Sequence, residues 1–299
     1  MNPLDRIYLD ALEADGRRHE VPPRTRLLSS ARTRRRPAPS TTPWAAPYAS
    51  RVAAMDAVLM SLSDEEWAVE VIEGWTLQQL VAHLSAKDGL VADDIGAPVL
   101  GPPIGSRDPL DRTAEVQAAE STRMPEQTRE SWRAQADALC LHLINVEPTT
   151  RTSPDGLPIP VSDAMLARAL ETWIHGDDAA RASGYEMPAP VAAHVHPMAD
   201  LCARLLPWAL LAAGGDATGT VRVTMTGPGG GTWLIPLDIA HPVREDAPGN
   251  ADAHITTDVV DLCFLLGGRT NPETLPAEIS GDQALARVLL TAAPSLSGP

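Results

Sequence analysis

Phenylalanine occurs once in this chain of 299 residues and cysteine three times, and no run of 18 uninterrupted apolar residues exists. The single Phe against seven Trp leaves Leu, Val, Ala and Met to fill most of any core. Cys140, Cys202 and Cys263 are far apart in sequence and form no CxxC pair, so neither a disulfide scaffold nor a thiolate zinc knuckle is expected. Each lies in an apolar helical context away from any basic or His-rich run. They read as reduced, buried thiols of a cytoplasmic protein rather than as catalytic nucleophiles. The lack of long apolar runs excludes a transmembrane helix, and the N-terminus lacks the apolar core of a secretory signal. Positive charge is scarce and uneven. The net charge is −15, yet positions 1–51 hold 10 of the 24 basic residues and only five acids. The remainder therefore carries 14 bases against 34 acids, a net of −20. Such a body repels nucleic acid and anionic membrane, which leaves a small molecule as the expected partner. An anionic substrate would need a local Arg to hold it.

With 44% hydrophobic residues, 299 positions suffice for two sizeable cores. Residues 3–14 place Leu4, Ile7, Tyr8, Ala11 and Leu12 on one helical face. The Arg- and Pro-rich stretch 16–42 has no interleaved aromatic residue. It reads as a solvated arm in preference to a nucleic-acid arm, so residues 1–42 are assigned to an N-terminal arm. Helices are predicted over 47–62, from Thr76 onward (Thr76 and Gln79 form a capping box), over about 126–145, and from Ser162, as N-cap, to near Gly184. Residues 96–112 are Gly- and Pro-rich and read as a long loop. A further helix is expected over 189–214. Four helices with long connections argue for an antiparallel bundle across 43–215. Beyond it, Val221, Val223 and Met225 alternate with polar residues, Gly227–Gly231 turn the chain, and Trp233–Leu237 return as a strand. Strands near 253–256 and 276–280 and helices at 258–266 and 282–292 complete a small α+β unit over 216–299. The fold class is α+β.

The stretch Met165–Ala180 carries the pattern with most chemistry in it. Glu171 and His175 are four residues apart, so both side chains rise from one helical face. A carboxylate beneath an imidazole is either an ordinary ion pair or two-thirds of a metal site, whose third ligand must come from another helix. The best candidate is His83, in GWTLQQLVAHL. His194 and His196 form a weaker pair, because i and i+2 point to different sides of a helix. Gly227–Gly231 lacks the GK[ST] of a phosphate loop and is better read as a hairpin turn. Asp177 and Asp178 are either surface charges or acceptors for a ligand imidazole. Arg269 is either a loop cation or a clamp for a substrate carboxylate.

These residues resemble the mycothiol-dependent maleylpyruvate isomerase family, with its DinB-like metal-binding helical bundle. The matching motifs are Leu62-x4-Trp67, Gly74-Trp75-Thr76-x3-Leu80-Val81-Ala82-His83-Leu84, Glu171-x3-His175-x-Asp177 and Leu206-Pro207-Trp208. Gly268-Arg269 and Ile279-Ser280-Gly281-Asp282 resemble the family's sterol-carrier-protein-like C-terminal domain. The resemblance covers about residues 43–299. It implies that His83, Glu171 and His175 hold a divalent metal, usually zinc, that mycothiol is the cofactor, and that Arg269 is a catalytic cation. It further implies a metal-bound thiolate attacking an electrophilic small molecule. The outcome is either cis–trans isomerisation of a maleylpyruvate-type double bond or S-transfer to the electrophile. A non-catalytic metal-binding or regulatory module of the same fold is the alternative from another class, and metal-water hydrolysis at the same site a weaker third.

Overall fold

Side-chain caps decide where several helices begin. The computed structural model describes residues 35–297 apart from positions 73 and 155. The helix expected at 3–14 and most of the arm lie outside the described residues. Ala38–Pro299 forms one compact unit. After a 3-10 turn at Pro43–Ala45 come α1 (Ala46–Leu59) and the short α2 (Asp64–Trp67). Ser63 caps α2 in a reciprocal capping box with Glu66. Strands β1 (Glu70–Ile72) and β2 (Trp75–Thr76) pair antiparallel. Thr76 then opens α3 (Leu77–Asp94) through the capping box with Gln79 expected from the sequence.

One helix departs from the sequence pattern. The Gly- and Pro-rich composition predicts loop through residue 112, but α4 spans Pro109–Glu120. Asp108 accepts hydrogen bonds from the backbone N–H groups of Leu110 and Asp111, and Pro109 fills the first helical position. An acidic N-cap followed by proline is a strong helix start. The chain continues through α5 (Pro125–Leu143), the paired strands β3 (Arg151–Thr152) and β4 (Ile159–Pro160), α6 (Val161–Ala182) and α7 (Ala192–Ala212). Ser162 is not the cap of α6: Pro160 holds that place and Val161 is already helical.

Helix α4 sets the directions in the DinB-like bundle. It runs back along α3, where Gln117 Nε2 donates to the Gln79 carbonyl and His83 meets Thr113. Helix α5 therefore starts at the same end as α3. Gln78 reaches Thr128 near both starts, and His142 reaches the Ile95 carbonyl near both ends. Helices α3 and α6 run antiparallel, His83 facing Glu171 and Asp88 facing Arg168. Between α1 and α5, Asp56 sits buried between Arg129 and Arg133. Burial of that carboxylate is tolerable because both partners are guanidiniums with fixed geometry.

The sheet has the order β7-β6-β5-β8-β9. Its members are β5 (Thr220–Thr226), β6 (Gly231–Pro236), β7 (Arg244–Glu245), β8 (Ala253–Asp258) and β9 (Ala277–Gly281). Only the β5–β8 pairing is parallel; α8 (Val259–Leu266) lies between β8 and β9, and α9 (Gln283–Ala292) follows. The GPGGG stretch is the β5–β6 turn and packs on the start of α7. A Cβ on Gly229, at φ +87°, would meet the Ala192 carbonyl oxygen and Val195 Cβ at 2.7 Å. One apolar core runs from Tyr48 in the helices to Leu290 beside the sheet, with Trp132, Trp173 and Trp233 among its largest members. All three cysteines are free and buried; Cys202 and Cys263 approach to 3.8 Å between sulfurs, beyond bonding distance. Among the described residues, no helix is long and apolar enough to cross a membrane.

Candidate metal centre

His83 leaves the middle of α3 and Glu171 and His175 leave one face of α6. The antiparallel crossing brings all three together, with one ligand atom from each lying within 4.8 Å of the others. Both imidazoles are buried, at 3% and 2% exposure, while the Glu171 side chain retains 24%. The rings stand edge to face with centroids 5.5 Å apart, and Trp75 covers His83 at 5.2 Å. Trp75 owes its position to the β1–β2 pairing just before α3.

Partners on the far side orient each donor. His175 Nδ1 lies 3.2 Å from Asp178 Oδ2. A carboxylate only accepts, so Nδ1 carries the hydrogen and Nε2 keeps its lone pair for the cluster. His83 Nδ1 is 3.0 Å from Thr113 Oγ1, and its Nε2 is 2.8 Å from Glu171 Oε1. That Nε2 donates to the carboxylate. A cation held there would take the place of this one proton, and the Thr113 hydroxyl, able to donate or accept, would follow the change of tautomer. Two imidazoles and a carboxylate with their outer atoms engaged fit a divalent cation of zinc type.

Glu171 is also gripped from outside. Arg168, one turn earlier on α6, holds Oε2, leaving Oε1 toward the histidines. Arg168 Nε donates to Asp88 Oδ1 at 2.9 Å, and Tyr48 donates to Asp88 Oδ2 at 2.6 Å. A buried chain Tyr48–Asp88–Arg168–Glu171–His83–Thr113 thus crosses four helices. Burial would raise the Glu171 carboxyl, but Arg168 and then His83 outweigh it and hold the group well below the ordinary carboxylate range. Burial pushes the His83 imidazole down despite Glu171, so the ring favours its neutral, ligating form. Burial raises Asp88 even against Arg168 and Tyr48. Asp178 is pushed up by burial and pulled further down by His175 and Arg269.

The other candidates from the sequence separate clearly. Arg269 reaches this region from beyond α8, but its Nε and Nη2 point at Asp178, at 3.1 and 2.9 Å from Oδ2. Asp177 pairs with Arg181 instead. His194 and His196 both lie within α7; His196 contacts Glu245 and stacks on Trp233, so the two do not converge. Thr113, Arg168, Asp88 and Tyr48 were missed. The Asp-Pro start of α4 was the available signal for Thr113. Arg168 three residues before Glu171 was the signal for the charge chain.

Residues 48–180 match the family model described as the mycothiol maleylpyruvate isomerase N-terminal domain. The uncharacterized protein Rv0036c of Mycobacterium tuberculosis is 27% identical over 258 residues, covering 82% of this chain and 91% of that protein. Its counterpart MT0041 in a second strain gives the same figures. The crystal structure of a histidine-to-alanine mutant of the mycothiol-dependent maleylpyruvate isomerase superposes with a TM-score of 0.52 at 13% identity. It covers 79% of this chain and 91% of its own, so the fold is shared. All three donor residues fall inside the segment that matches the mycothiol maleylpyruvate isomerase N-terminal-domain model.

Proposed function

We propose that this chain is a metal- and mycothiol-dependent enzyme of the cytoplasm, with His83, Glu171 and His175 holding a divalent cation, zinc by donor chemistry. The observation that carries this reading is the convergence of those three side chains, each oriented by a partner on its far side. Three protein donors are the number that holds zinc in a catalytic site, and these three would hold it here. A divalent cation there supplies Lewis acidity that stabilises a thiolate at neutral pH, where an unperturbed thiol is only a few per cent ionised.

The chain's own residues supply the setting. His83 stays neutral by burial and so keeps a lone pair available. Arg168 keeps Glu171 ionised and fixed through one oxygen. Trp75 shields the His83 side from water, which strengthens every electrostatic contact inside. The reaction class is attack by the mycothiol sulfur on an electrophilic small molecule. Reversible addition to a cis double bond conjugated to a carbonyl gives isomerisation; retention of the sulfur gives S-transfer. Isomerisation is the reading closer to the family.

Thermal-shift titration of the full chain with zinc, then with mycothiol, tests the reading, followed by an assay of maleylpyruvate isomerisation. The expected result is stabilisation by zinc and a further rise with mycothiol that requires zinc. Stabilisation by zinc with none from mycothiol would favour a metal-binding module without chemistry.

A further inference from the structure

Helix α6 is gripped on two sides. One face turns Glu171 and His175 toward α3 and carries Asp178 one turn beyond His175. Beside that face, Trp173 and Ile174 meet the segment that ends α8. Phe264 meets Trp173 edge to face at 5.3 Å between centroids. Gly267 lies so close that a Cβ on it would be 2.3 Å from Ile174 Cδ1. Gly268, at φ +70°, then reverses the chain and the Arg269 N–H donates to the Phe264 carbonyl at 2.8 Å. This tight end of a helix aims the Arg269 side chain back at α6.

All three guanidinium nitrogens of Arg269 have acceptors within the chain. Nη1 donates to the Gly267 carbonyl at 2.8 Å, and Nε and Nη2 donate to Asp178 Oδ2 at 3.1 and 2.9 Å. Nη2 also lies 3.4 Å from His175 Nδ1. Arg269 and Asp178 are nearly closed to solvent, at 11% and 10% side-chain exposure. This is the geometry of a guanidinium fixing a carboxylate, with that carboxylate fixing an imidazole. A clamp for a substrate carboxylate would present an open edge.

We propose that Arg269 is a positioning residue of the metal centre, acting through Asp178 on His175, so that the sheet-bearing part of the chain completes the cation site. The inference rests on the reading that His83, Glu171 and His175 hold a cation. Asp178 sets the tautomer and the ring plane of His175, and it can do so only while its own carboxylate is held. The rigid fork of Arg269 supplies that hold. A lysine, with a single flexible ammonium, does not reproduce it.

Zinc affinity of the full chain, measured by competition with a chromophoric chelator, tests this without reference to turnover. Arg269→Lys and Asp178→Asn are each expected to weaken zinc binding by about 10- to 100-fold. The double variant should lose no more than about the larger single loss, because both act on one imidazole. Phe264→Leu loosens the same seam without touching the guanidinium; it should lower Tm and leave zinc affinity unchanged. Affinity within about twofold of wild type in Arg269→Lys would overturn the proposal, as would an equal loss in Phe264→Leu. A His175→Ala chain that binds zinc like wild type would instead remove the three-ligand reading beneath it.

Discussion

Glu171 answers to three groups at once: Arg168 on one oxygen, His83 on the other, and a shared cluster with His175. The ordinary pKa of such a carboxyl is 4.5, and in the fold it lies well below. The folded chain therefore binds fewer protons here than the unfolded chain just below pH 4.5, and the stability this group contributes is lost as pH falls through that range. Glu171→Gln should remove that part of the acid dependence. Urea denaturation of the zinc-free chain between about pH 3 and 6 reads it as a shallower loss of stability on acidification than in wild type. Thr113 offers a second test. Thr113→Val removes the partner of His83 Nδ1 without changing side-chain size much. Zinc affinity should drop by about tenfold or more while the far-UV circular dichroism stays the same. The convergence of His83, Glu171 and His175 was legible in the sequence because i,i+4 spacing and a capped helix fix where such side chains emerge. Thr113 was not, because its role depends on which helix passes His83, and one threonine among many carries no such mark.

Among the elements, α4 matters most for the site and was the one helix missed among the described residues. Its Asp-Pro start was overshadowed by the Gly- and Pro-rich residues just before it, which do form a loop. By returning the chain along α3, α4 both delivers Thr113 and makes α3 and α5 parallel. The strands and helices beyond residue 216 were easier to place, because strict alternation and Gly-rich turns dominate there. Two glycines test how tightly elements meet. Gly229 sits at φ +87° with backbone atoms of α7 in the way of any Cβ, so Gly229→Ala should cost about 1–3 kcal/mol in denaturant unfolding. Gly176, within α6, would meet only the thioether end of Met187 and, at 3.6 Å, Met55 Cβ. Met187 can swing aside, and alanine favours the helix over glycine. Gly176→Ala should therefore be neutral or stabilising by up to about 1 kcal/mol.

At the scale of the whole molecule, helices and sheet share one core, and α6 is the element common to the metal cluster and to the seam with α8. Coupling between cation binding and the Arg269–Asp178 pair is reciprocal. If that pair steadies His175 for the cation, then the cation steadies the pair. Hydrogen exchange should accordingly slow at Gly267–Arg269 when zinc binds, and Asp178→Asn should abolish the effect there while leaving exchange in β5 and β6 unaltered. This seam is beyond reach of the sequence: the resemblance implies Arg269 as a catalytic cation, but its partner Asp178 lies 91 positions away and is chosen by packing alone. The central claim is that His83, Glu171 and His175 together hold one cation. Elemental analysis of the purified chain after zinc loading and dialysis tests it most directly, on wild type and on His83→Ala, Glu171→Ala and His175→Ala. The account predicts about one zinc per wild-type chain and a small fraction of that in each variant; undiminished zinc in Glu171→Ala and His175→Ala would contradict it.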